Sequence, residues 1–94
     1  MAQKFYEIGY MIQASPAEYD FETVEWECDY ERVEDARKRA RELSKKCPFK
    51  YNNNRGDIVA IQITCHAEIE DVTTYWIYWT ETYKNGKMIR RTNY

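Results

Sequence analysis

Apolar residues recur with two periods along the chain, and the change from one to the other marks out its elements. Val33, Ala36, Ala40, Leu43 and Cys47 stand at i, i+3, i+7, i+10 and i+14, the single apolar stripe of an amphipathic helix. The spacing predicts a helix over residues 30–46, with Asp29 as its N-cap and Pro48 as its stop. Glu31, Glu34 and Asp35 fall near its start and bases crowd its end, as the helix dipole prefers. Two alanines in the stripe imply a close approach to whatever lies beneath.

Elsewhere the period is two. Tyr6, Ile8, Tyr10 and Ile12 share one face of a first strand, with Glu7, Gly9 and Gln13 on the other. Val24, Trp26 and Cys28 alternate with Thr23, Glu25 and Glu27 in a second. The cleanest run is the third, where Val59, Ile61, Ile63, Cys65, Ala67 and Ile69 point one way and Gln62, Thr64, His66, Glu68 and Glu70 the other. Thr74 to Tyr83 is β-branched and aromatic, and Asn85-Gly86 signals a type I′ hairpin turn into Lys87–Asn93. The order is ββαβββ. It predicts an α+β fold over residues 1–94 as one domain: a single antiparallel sheet of about five strands with one helix packed on one face. One helix cannot cover both faces of such a sheet, so an open face is expected.

A two-residue hairpin loop sets a register with Glu81 opposite Arg90 and Trp79 opposite Thr92. Ile77 and Trp79 then belong to the more apolar, inward face. Trp76, Tyr78 and Arg91 fall on the outward one as an aromatic and cationic patch.

Composition changes this picture in two ways. Fourteen Lys and Arg against sixteen Asp and Glu give a net charge of −2, which argues against a histone-like nucleic-acid partner. The charge is nevertheless in blocks: nine acids and one base over residues 18–35, then seven bases and one acid over residues 37–50. Nine Tyr and three Trp exceed the ordinary needs of a small core. The first residues contain no signal-peptide apolar region, and no run approaches a membrane span. Three cysteines, an odd number, fit a reduced cytosolic setting.

No motif names a reaction. His66 follows Cys65 directly, but strand neighbours point to opposite faces, so the pair cannot act as nucleophile and base, and His66 is expected at the surface. Cys28, Cys47, Cys65 and His66 lack zinc-ligand spacing; Cys28 and Cys65 read as small apolar groups on apolar faces. No metal or cofactor is therefore expected. Glu25 with Glu27, and Glu68 with Glu70, project in pairs about 7 Å apart, within the range used by inverting glycosidases, although any solvated strand face produces such pairs. Arg55-Gly56-Asp57 matches the integrin-binding tripeptide, with Gly56 better explained by a turn. The three glycines are too scattered to cradle a phosphate.

Two surfaces remain. The outward Trp76, Tyr78 and Arg91 suit a protein hot spot or a platform for unpaired bases, and the acidic block with Glu25 and Glu27 suits a basic groove in a partner. In its make-up, short, aromatic-rich and free of catalytic signatures, the chain is similar to small proteins carried by phages and mobile elements. Many of those act as stoichiometric inhibitors of bacterial enzymes, and no single residue carries that likeness. The sequence thus predicts a non-enzymatic protein-interaction module, an inhibitor or adaptor, with a homodimer through a sheet face or edge as one arrangement. Binding of RNA or single-stranded DNA to the open sheet is the alternative. A small enzyme using outward carboxylates comes third.

Overall fold

The computed structural model describes residues 3–51, 55–68 and 75–94. Its elements are β1 (Lys4–Gln13), β2 (Phe21–Tyr30), α1 (Val33–Lys45), β3 (Ala60–Glu68), β4 (Tyr75–Lys84) and β5 (Lys87–Asn93). The strands form one antiparallel sheet in the order β2-β1-β3-β4-β5, with α1 against one face. The α+β class and the ββαβββ order are as the sequence predicts. Ile69, Glu70 and Thr74, which the sequence assigns to strands, lie outside the described residues, as does the side chain of Glu68.

The helix stripe is the face that packs. Ala36 and Ala40 are fully buried and Leu43 nearly so, which lets the α1 backbone sit low over β3 with β1 and β4 on either side. They close a core with Ile8, Tyr10, Ile12, Ile58, Ile61, Ile63 and Tyr83. The helix starts later than its spacing suggests. Tyr30 is still paired with Tyr6 in the β-ladder, so the chain stays extended through that residue. Arg32 is the N-cap, and Asp29 instead contacts His66.

Ser44 fastens the last turn of α1 to the hairpin. Its carbonyl accepts the Asn85 amide at 3.2 Å and its hydroxyl accepts the Gly86 amide at 2.8 Å. Asn85 and Gly86 have φ of 55° and 80°, the left-handed pair that a type I′ turn requires.

Bulges correct the expected faces. Between β4 and β5 the pairs Lys84↔Lys87 and Tyr83↔Met88 follow the two-residue loop, but the register then shifts. Glu81 faces Arg91, Thr82 faces Arg90 and Trp79 faces Asn93, one residue on from the expected pairing. A second shift, in the β3–β4 ladder, leaves Tyr78 as the extra residue: Cys65 pairs with Trp79, and His66 pairs with Ile77. One bulge reverses the alternation of all side chains beyond it. Trp79 therefore packs against the core beneath α1, and Ile77 turns to the uncovered face instead of joining it.

Candidate functional site

The helix side of the sheet is closed by charge as well as by apolar packing. Glu81, 1% exposed, accepts bonds from Arg37 Nε and Nη2 at 3.0 and 2.8 Å, from the Tyr83 hydroxyl at 2.8 Å and from Arg91 Nη1 at 2.8 Å. The Arg91 guanidinium also lies 4.5 Å from the centre of the Trp79 ring. Glu27, in register with Ile8, accepts from Arg39 Nη2 at 2.9 Å and from the hydroxyls of Tyr10 and Tyr30 at 3.1 and 2.9 Å. Burial raises the pKa of both carboxyls, but these donors outweigh it and hold each below the ordinary carboxylate value. Burial and the adjacent carboxylate push Tyr10, Tyr30 and Tyr83 up to about 12.

This arrangement revises the expected surface sites. Glu27 is not outward, and its carboxylate is occupied by Arg39, so it forms no catalytic pair with the exposed Glu25. Glu25 Oε1 instead accepts the Trp26 amide at 3.2 Å. Arg91 leaves the expected patch because the β5 bulge turns it to Glu81. Tyr78 is half-buried, with Lys4 Nζ 4.6 Å from its ring centre. Trp76 is exposed but stands in register with Ala67, on the Cys65 side of β3. Trp76, Tyr78 and Arg91 do not form one open-face patch.

The uncovered face carries a different set. A groove of about 330 Å³ is lined by Glu7, Trp26, Gln62, Thr64, His66, Ile77, Thr80 and Tyr94. Thr64, His66 and Thr80 are buried polar side chains along it. Trp26, Ile77 and Tyr94 are 49%, 41% and 73% exposed. Trp26 and Thr23 occupy the space a side chain at Gly9 would need: a Cβ there would lie 3.1 Å from Trp26 Cζ3 and 2.8 Å from Thr23 Cγ2. Tyr94 is held by its amide, which donates to the Tyr78 carbonyl at 3.0 Å.

At one end of the groove three strands converge. The β2 bulge sets two residues, Cys28 and Asp29, against Glu7 of β1. Asp29 Oδ1 lies 3.1 Å from Nε2 of His66 on β3. The ligand atoms of Glu7, Asp29 and His66 all fall within 4.8 Å of one another. Burial raises the Glu7 pKa, the Asp29 charge raises it further, and His66 opposes both. His66 is 6% exposed, not a surface residue, because β3 is the central strand and is flanked on both sides.

The cysteines are free. Cys65 is buried as its alternation predicts, but Cys28 is exposed, since a register shift at Val24 reverses the alternation that placed it inward with Val24. Burial pushes the Cys47 thiol up to about 11 and raises Cys65 as well, so neither is poised as a thiolate. Arg55 of the Arg-Gly-Asp segment pairs with Glu22, and Gly56 has a φ of 131° that explains the glycine.

No family model, curated protein or solved structure matches the chain. No helix among the described residues is long and apolar enough to cross a membrane. The functional reading therefore stands on the site itself.

Proposed function

We propose that the chain is a non-enzymatic protein-interaction module, of the inhibitor or adaptor kind, that presents its uncovered sheet face to a protein partner. The observation that carries this is the contrast between the faces. One is closed by α1 and by two internal ion-pair networks, while the other leaves Trp26, Ile77 and Tyr94 exposed around a groove with polar walls. Exposed aromatics gathered around a groove are the make-up of protein hot spots.

The charge of the groove favours a protein over a nucleic acid. Among its described lining residues are Glu7 and His66 but no Lys or Arg, and the cations that register places on this face, Arg90 opposite Thr82 and the Lys84–Lys87 pair, lie outside that lining, toward the hairpin turn. A single strand needs cations along its backbone path. Here Arg37 and Arg39 of the basic helix are turned to Glu81 and Glu27.

Trp26→Ala combined with Ile77→Ser is expected to leave the protein folded and to weaken partner capture from host cells by about 30-fold or more, equivalent to ~2 kcal/mol. The comparison variant, Lys38→Glu with Arg41→Glu on the exterior of α1, should capture the partner as wild type does. The reverse pattern would move the contact surface to the helix. Sedimentation over a range of concentrations reports whether a second copy takes the same face, and loss of binding at moderate salt would point to nucleic acid.

A further inference from the structure

We propose that Glu7, Asp29 and His66 bind a divalent transition-metal ion of the zinc or manganese class at the end of the open-face groove. The three side chains come from adjacent strands: Asp29 from β2, Glu7 from β1 and His66 from β3. Their ligand atoms already lie within 4.8 Å of one another. The separation of His66 Nε2 and Asp29 Oδ1, 3.1 Å, is the bite of two ligands on one ion. Bonds of about 2.1 Å put donor atoms about 3.0 Å apart around an octahedral ion and about 3.4 Å apart around a tetrahedral one, and the observed separation falls between the two. The Glu7 carboxylate supplies the third corner, with its oxygen within 4.8 Å of both other ligand atoms.

The donor set selects the ion. One imidazole with two carboxylates suits zinc, manganese, iron, cobalt or nickel, whereas magnesium and calcium prefer oxygen alone. The imidazole is held in place by burial, and the β2 bulge fixes Asp29 beside Glu7, so the site stands on sheet positions and not on a loop. Two carboxylates at this spacing feel a mutual repulsion. A divalent ion cancels it. With three protein ligands the remaining coordination positions face the groove, which both Glu7 and His66 line. This site is independent of the protein-binding reading, and either can fail without the other.

His66 is the only histidine in the chain, so its imidazole proton resonances are unambiguous. The test is a proton NMR titration of chelator-treated protein with zinc, then with manganese, in a Cys28→Ser background that removes the exposed thiol. One equivalent of zinc is expected to shift the His66 ring signals, and substoichiometric manganese to broaden them. Glu7→Gln and Asp29→Asn, which keep side-chain shape, should each weaken zinc binding about tenfold or more. Ring signals that do not move below about 1 mM zinc in the otherwise wild-type protein would overturn the proposal, with no variant needed. Unchanged affinity in both carboxamide variants would overturn it too, since the imidazole would then bind zinc alone.

Discussion

Replacing Ala40 by glutamate is expected to lower the stability of the protein by about 3 kcal/mol or more. Ala40 is fully buried, as is Ala36 one turn earlier, and the pair sets the distance of α1 from the sheet. A longer side chain lifts the helix from Ile61, Ile63 and Tyr83, which are buried in the same core. The new carboxylate would be buried at a point where Arg37 and Arg39 already hold Glu81 and Glu27. For a chain of this length such a loss moves the melting temperature down by roughly 12–24 °C, readable by circular dichroism. An unchanged melting temperature would mean that another face of α1 meets the sheet.

Glu81→Ala is expected to cost about 2–3 kcal/mol at neutral pH. The carboxylate is the common acceptor of Arg37, Arg91 and Tyr83, and its removal leaves two guanidiniums side by side next to Trp79. The cost stays below that of a fully enclosed pair because the Arg37 and Arg91 side chains are 34% and 37% exposed and regain water. The pH dependence gives an independent check. The Glu81 pKa is lowered in the folded protein, so its contribution is complete above the ordinary carboxylate pKa of about 4.3 and is lost as pH falls through the folded value. The stability gap between wild type and Glu81→Ala should therefore narrow on acidification from pH 7 to pH 3. A gap that held constant with pH would show that packing alone, and not the charge, is responsible.

The parts of this fold that can be read from sequence are those where one residue type repeats at a fixed step. The Val33, Ala36, Ala40, Leu43 stripe marks the buried helix face, and Ile61, Ile63, Cys65 and Ala67 mark the buried face of β3. Asn85-Gly86 marks the turn because both positions need a positive φ. Bulges carry no such mark. Tyr78, Ile89 and Val24 are ordinary strand residues, yet the register shifts beside them decide that Ile77 faces the groove, that Arg91 faces Glu81 and that Trp26 joins Ile77.

The internal ion pairs were hidden for a related reason: in the sequence, Glu27 and Arg39 look like solvated charge. Glu81 did leave a trace, as the one acid in β4, set between Trp79 and Tyr83 on an inward parity. A charge at such a position implies a buried partner. The convergence of Glu7, Asp29 and His66 depends on β1 lying between β2 and β3, an order that no local pattern encodes.

The open face is tested most directly by NMR of the isotope-labelled protein with and without the purified partner. The largest changes are expected at Ile77, Thr64, Thr80, Tyr94 and the Trp26 indole, with the exterior of α1 undisturbed. Changes confined to Lys38, Arg41 and Glu42 on α1, with the groove signals unmoved, would contradict this expectation.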